Sequence, residues 1–536
     1  VLNTIYYKDY IEYLKDLALV LLNNEQLPRL DLSINFKDQQ EIECLRKRLE
    51  NCTKDGWVRG PKIFIDNEVY KVKLKAKGDR NFHRTNFKNM SFKVDIRGDK
   101  RINGLEEFSL QSPVMRNYAI EPLLAKIFRE QGVISPRHYY YRFYINGEYA
   151  GLRHLEEGIG TELIEANKRR YGPVFSVNED ITLRSFEEPF ELSNKSKWDQ
   201  SNLGIDRTAF SILKQSSLSI TRQSEINTEI FNTYFDIDLW AKYLAISDIF
   251  KVYHSTVPKN VKFYFNPVKG LMEPIFFDGH YLPGEFDDFL FSDLLNNDID
   301  KSKCPYRCTN KPFWQMMIGN KEKINKDFFL KYRKYIELYS SEEFINSVIR
   351  SEWKKLSKLR GNIYRNGYRK DQTDHYGILP HVEPFYRILN RIRSINSFVR
   401  ESKTLIPEHS YDKSNNILGV VNKESRHPQL YSIYCKDKKI ISDLILPKDV
   451  FYKFELSQYP NKCNDKTFEF SIDQGNKRYN FKDIIFSDLE FDDRLITPIN
   501  NAIYQESLLR KKDYIFSTET KTISKNLIID NKQVLF

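Results

Sequence analysis

The sequence predicts an α+β chain, and three observations carry that prediction. Alternating apolar and polar residues fill 62–110 and 137–155, the period of half-buried strands. Helical spacing of apolar residues marks 116–132, 237–250 and much of 285–402. After Lys403 the composition changes to short alternating runs with turn residues, the pattern of an all-β domain.

Each element has its own signal. Residues 1–55 read as helical around a first strand in LPRLDLSINF (27–36). RNYAIEPLLAKIFREQG (116–132) is amphipathic and stops at Gly132, a C-cap residue; Pro122 suits a first helical turn but would kink a helix begun at Arg116. Asn146-Gly147 separates two aromatic-rich runs and predicts a type I′ hairpin. IDLWAKYLAISDIF (237–250) is apolar enough to be a buried helix. KLRGNIYRNGYRKDQTDHYG (358–377) is polar and basic and reads as an exposed loop, and IPEHSYDKSNN (406–416) as a linker. These signals divide the chain into an N-terminal segment (1–58), a mixed domain (59–403), a β-rich domain (404–525) and the first strand of a further β module (526–536). The closing run KTISKNLIIDNKQVLF alternates to its end and would expose a strand edge, so the natural chain is expected to continue beyond it.

Composition limits the function classes. The chain of 536 residues is 40% hydrophobic and 14% aromatic, which supports large cores and argues against disorder. Its +11 charge comes from 84 basic and 73 acidic residues, a mixed surface that leaves a polyanionic partner open. No basic run interleaved with aromatics points to DNA. LALVLL (17–22) is too short to span a bilayer, so no transmembrane span is expected. Cys44, Cys52, Cys304, Cys308, Cys435 and Cys463 do not complete a zinc pattern, and most read as buried or free thiols.

Three segments hold residue types that phosphoryl transfer uses. In KNMSFKVDI (88–96), Lys93 alternates with Phe92 and Val94 and faces away from their core side, placed either for phosphate or simply for solvent. Glu121 near the start of the next helix is a candidate partner for Lys93, or a favourable charge at a helix N-terminus. Glu156 and Glu157 end the strand after the hairpin, placed either where a departing segment presents backbone groups to a base or simply for solvent. Asn260 and Asp278 flank a strand as a magnesium pair does, although Asp278-Gly279 is also an ordinary turn. His254 and His280 are candidates for a general base, or structural histidines.

At these residues the chain resembles the spore-coat protein H (CotH) kinase family, secreted or surface-associated atypical kinases of bacteria. The resemblance covers about 60–400 through KGDRNFHRTNFKNMSFKVDI, INGLEEFSL, PLLAKIFREQGV, YINGEYAGLRHLEE, LWAKYLAISDIF and NVKFYFNPVKGLMEPIFFDG. It implies a two-lobed, protein-kinase-like domain followed by a sandwich-like β domain. It also implies binding of ATP with Mg²⁺ and phosphate transfer to a hydroxyl on protein Ser/Thr or a cell-envelope polymer, at the bacterial surface or outside the cell. By position, Lys93 looks like the phosphate lysine, Glu121 its helix partner, Glu157 the hinge-like residue, and Asn260 and Asp278 the metal residues. Two departures stand out. His254 occupies the place of the usual aspartate base, and the family's paired carboxylates become Asp278-Gly279-His280. Catalysis would then rest on Asp278 and His254. A degenerate, non-catalytic scaffold of the envelope is the alternative reading, and a glycan hydrolase using Glu285, Asp287 and Asp288 is a third.

Overall fold

The computed structural model describes residues 11, 14–22, 26–47, 56–78, 86–178, 190–193, 208–209, 211–214, 216, 228–279, 290–296, 311–320, 323–366, 382–412, 414–435, 438–456, 468–473 and 478–480. The chain forms two compact units. The first comprises 1–291, 301–317 and 327–396; the second comprises 292–300, 318–326 and 397–536.

The first unit opens with a closed barrel. Its strands are β1 (Arg29–Ser33), β2 (Lys62–Ile65), β3 (Glu68–Lys77), β4 (Ser91–Ile96), β5 (Glu107–Gln111), β6 (His138–Ile145) and β7 (Glu148–Glu157), in the order β1-β2-β3-β4-β5-β7-β6. Alternation along each strand sends Leu30, Leu32, Val72, Leu74, Phe92, Val94, Phe108, Leu110, Phe143 and Leu155 into one shared core. The intervening side chains face outward. β1 closes the barrel by pairing antiparallel with β2 and parallel with β6, so the division drawn at residue 58 does not separate a domain. The β6–β7 turn is the expected hairpin: Asn146 and Gly147 have φ of 49° and 85°. The Asn146 side chain accepts from Ile34 N at 2.8 Å and donates to Ile34 O at 2.9 Å, tying the turn to the end of β1.

Helix α1 (Phe36–Lys47) follows β1, and α2 (Ile120–Glu130) follows β5 after a 3₁₀ turn at Pro113–Arg116. Pro122 lies in the first turn of α2, where its missing N–H costs nothing. The helix ends in a Schellman arrangement: Gly132 at φ 85° donates to Arg129 O, and Val133 donates to Phe128 O.

A second sheet, β8 (Val174–Val177), β9 (Phe190–Leu192), β10 (Lys262–Asn266) and β11 (Leu271–Ile275), is antiparallel in the order β11-β10-β8-β9. Helix α3 (Ile237–Ile249) is capped by Asp236 and buried nearly throughout; Trp240 donates to Met272 O of β11 at 3.0 Å. Further helices, α4 (Lys326–Tyr339), α5 (Ser357–Asn366) and α6 (Val382–Ser402), complete the helical part. Tyr332 of α4 donates to the buried Asp248 carboxylate, and Arg391 of α6 donates to Asp248 O and Tyr253 Oη. Helix α5 corrects the loop expected at 358–377 over its first nine residues; 367–377 lie outside the described residues. Its polar residues misled because two of them are buried in specific bonds. Arg360 pairs with Asp16 at 2.6 Å and stacks over Trp353, and Asn362 accepts from Leu27 N.

The second unit has two antiparallel sheets around one core. β12 (Glu408–Asp412), β13 (Ile417–Val421) and β16 (Phe451–Glu455) form one; β14 (Gln429–Cys435), β15 (Lys438–Leu446), β17 (Phe468–Ile472) and β18 (Tyr479–Asn480) form the other. Tyr431, Ile433, Tyr452, Phe454 and Phe470 fill the space between them, the arrangement of a sandwich. β12 corrects the linker reading of 406–416: His409 within it is fully buried, bonded to Tyr431 Oη at 2.9 Å. The expected module at 526–536 lies outside the described residues. Cys44 and Cys435 are disulfide-bonded, and no described cysteine is free, which corrects the thiol reading for these two.

Gly361 of α5 crosses a helical segment at 14–22 closely: a Cβ there would lie 2.3 Å from Asp16 O and 2.4 Å from Val20 Cγ2. Gly361→Ala gains about 1 kcal/mol of helix propensity but overpacks this crossing, which costs about 1–3 kcal/mol. We expect a lower denaturation midpoint; a variant more stable than the parent would contradict the crossing.

Candidate functional site

The outer face of the barrel carries a polar row across five strands, Lys75–Lys93–Ser109–Glu156–His138. Adjacent members are separated by about 4.8 Å, the spacing of paired strands. This register decides which lysine reaches which carboxylate. Lys93 turns to Glu107 at 2.7 Å, whereas Lys77, at the end of β3, reaches Ser109 Oγ at 2.6 Å and Glu156 at 3.4 Å. Lys93 therefore shares the face, and Lys77 occupies the place at Glu156.

Glu156 and Glu157 point to opposite sides of β7. Glu157 is held by Arg137 at 2.5 Å, at the barrel rim. Glu156 is buried and takes both arms of Arg116, at 3.1 and 2.9 Å, together with Gln111 Nε2 at 3.0 Å. The third guanidinium nitrogen of Arg116 lies 2.5 Å from Asp278 Oδ1. One arginine from the 3₁₀ turn thus joins the end of β7 to the segment that follows β11.

Asp278, His254 and Asn260 meet as expected. His254 Nδ1 is 2.8 Å from Asp278 O and 3.5 Å from Asp278 Oδ2, and Asn260 Nδ2 is 3.1 Å from both His254 Nδ1 and His254 O. The Asp278 carbonyl can only accept, so Nδ1 donates to it and the Asn260 amide donates to His254 O. Asp278 has φ 50°, a conformation aspartate tolerates, and Gly279 N donates to Glu121 Oε1 at 3.3 Å. The turn and the site are therefore the same structure.

Glu121 does not pair with Lys93. It is fully buried beside Arg116, Glu156 and Asp278, and its Oε2 has no hydrogen-bond partner. Burial pushes its carboxyl up to about 8, helped by the Glu156 and Asp278 charges and opposed by Arg116. Burial alone would raise Glu156, but Arg116 and Lys77 hold it well below the carboxylate range. Burial lowers the Lys77 ammonium despite Glu156. His138 and His154 stack beneath Glu156, with Nδ1 and Nε2 2.7 Å apart, and burial lowers both. Lys262, missed in the sequence, comes near Asp278 from β10, and burial lowers its ammonium to about 8. A shallow depression beside Glu107 is lined by Leu105, Glu157, Gly158, Ile159, Gly160 and Glu162.

His280, Glu285, Asp287 and Asp288 lie outside the described residues. Among the described residues, no group of three His, Cys, Asp or Glu side chains makes a metal cage, and no helix is long and apolar enough to cross a membrane. The donor set does fit magnesium held jointly with phosphate. Such an ion takes one or two protein oxygens and completes its shell from phosphates and water. Asp278 and Asn260, both in contact with His254, supply that number.

The raised Glu121 group gives a pH test. The folded chain keeps this proton up to about 8, while the unfolded chain releases it near 4.5. The stabilising contribution is complete below 4.5 and drains as pH rises toward 8. Glu121→Gln removes the titration. Its stability relative to the parent should therefore rise between pH 5 and 8, by at most about 1.4 kcal/mol per pH unit. A difference constant across that range would contradict the buried neutral carboxyl.

Comparison with curated proteins gives no match. The family profile described as CotH kinase protein matches residues 73–394, which hold Lys77, Arg116, Glu121, Glu156, His254, Asn260 and Asp278. That match spans more than half of the chain, which therefore belongs to the CotH kinase family.

Proposed function

We propose that the chain is an ATP- and Mg²⁺-dependent kinase that moves a phosphoryl group to a hydroxyl, on protein Ser/Thr or on a cell-envelope polymer. The observation that carries the reading is the convergence of Lys77, Arg116, Glu156, Asp278, His254 and Asn260 from separate segments into one partly buried group. In this reading Lys77 rather than Lys93 reaches the phosphates, because Lys77 joins the Glu156–Arg116–Asp278 cluster whereas Lys93 turns to Glu107. The nucleotide base packs against the barrel rim at the end of β7. Glu157 builds that rim through Arg137 rather than by contacting the base itself.

Asp278 and Asn260 hold magnesium, which neutralises charge on the phosphates. The residues do the remaining work by position. Arg116 fixes the Asp278 carboxylate, and Asp278 O fixes the His254 ring so that Nε2 accepts the proton of the acceptor hydroxyl. An extracellular or cell-surface location in bacteria agrees with the disulfide-bonded Cys44 and Cys435, since disulfides persist in oxidising compartments.

One observation favours the second reading, a kinase-like module that binds without transferring phosphate. The Asp278 carboxylate is already engaged by Arg116, and a metal must share or displace that contact.

Thermal melting with ATP and magnesium tests nucleotide binding first. Ligand at about 100 times Kd adds about 2.7 kcal/mol and raises the melting temperature. Asp278→Asn and Lys77→Met should remove the rise, and Lys93→Met should keep most of it. An unshifted parent, or loss only in Lys93→Met, contradicts the reading. Transfer of labelled γ-phosphate to candidate acceptors then separates the kinase from the binding module.

A further inference from the structure

Among the described residues, three cations of this region are engaged within the chain. Arg116 is taken by Glu156 and Asp278, Lys77 by Glu156 and Ser109, and Lys93 by Glu107. Lys262 stands at the start of β10, two residues after Asn260 and cross-strand from Ile275, three residues before Asp278. On its other side it pairs with Ser176, whose hydroxyl donates to Glu191 at 3.1 Å. Its ammonium lies 5.3 Å from the centre of the Phe277 ring, within the field of Glu191 and Asp278. Lys262 is only partly exposed, yet it makes no ion pair among the described residues. A withdrawn ammonium ordinarily has a close counter-ion, because burial strips its hydration. Contact with one aromatic face offsets only part of that loss.

We infer that Lys262 is a second phosphate-binding residue of the site, contacting the terminal phosphoryl group of a bound nucleoside triphosphate from β10 while Lys77 reaches the phosphates from β3. The inference rests on the nucleotide reading above. It adds that the site distinguishes triphosphate from diphosphate through a side chain beside Asp278. The terminal group carries the most charge and is the part that Asp278 and Asn260 would face across their metal, so a cation two residues from Asn260 meets that group and not the base or ribose. The ammonium lies against the Phe277 ring, next in sequence to Asp278.

Equilibrium binding of magnesium ATP and magnesium ADP to the full chain tests this, with the parent compared against Lys262→Met, Lys262→Arg and Lys77→Met. Lys262→Met should weaken ATP binding about tenfold, the loss of one charge-assisted contact, and leave ADP binding within about twofold. Lys262→Arg should recover most of the ATP affinity, and Lys77→Met should weaken both nucleotides. Retained ADP binding also shows that Lys262→Met is folded. Unchanged ATP binding in Lys262→Met, or an equal loss for ATP and ADP, overturns the inference. If Lys77→Met weakens both nucleotides in either of those cases, the nucleotide reading stands and only the role of Lys262 falls. A parent chain that binds neither nucleotide overturns both.

Discussion

The first unit depends on one buried guanidinium. Arg116 has no freedom left: two arms meet Glu156 at the end of a barrel strand, and the third nitrogen meets Asp278 after the last strand of the second sheet. These carboxylates are 122 residues apart in the sequence (278 minus 156). A hydrophobic contact tolerates sliding, whereas a bidentate guanidinium–carboxylate pair fixes angle as well as distance. Phe128 stacks on Phe276, with ring centres 4.2 Å apart, so helix α2 and the strand end are held by apolar packing as well.

Charge balance then explains the neighbours. Lys77 and Arg116 supply two positive charges, and Glu156 and Asp278 supply two negative ones. A third carboxylate charge beside Arg116 would be uncompensated, and Glu121 avoids that by keeping its proton. His138 and His154 stay neutral for the same reason, since a positive ring would crowd two cations already in place. The cluster is thus arranged before any ligand arrives. Preorganised charge of this kind is what phosphoryl transfer draws on, because the reaction needs little covalent help from the protein.

The sequence revealed elements better than meetings between elements. The Asn146-Gly147 hairpin, the Gly132 cap and the buried helix at 237–250 were legible because turn chemistry and periodicity are local. Asn260, Asp278 and His254 were legible through the family resemblance, and they do converge. Lys77 was not, because KVKLKAK places four lysines on one face and only the register against β4 and β5 selects the last. Arg116 precedes a helix without any mark of its importance. Glu156 and Glu157 are adjacent and chemically identical, and pleating alone sends them to different partners. The loop expected at 358–377 failed differently: polar composition suggested exposure, while Arg360 and Asn362 are buried in specific bonds. Lys262 looked like any lysine in a strand until Phe277 and Asp278 were beside it.

The most direct measurement is a crystal structure of the chain with magnesium and a non-hydrolysable ATP analogue. The account predicts phosphates within hydrogen-bonding distance of the Lys77 ammonium, a metal on Asp278 and Asn260, and the base beside the end of β7. Nucleotide bound away from the Arg116–Asp278 pair, with that pair buried as before, would contradict it.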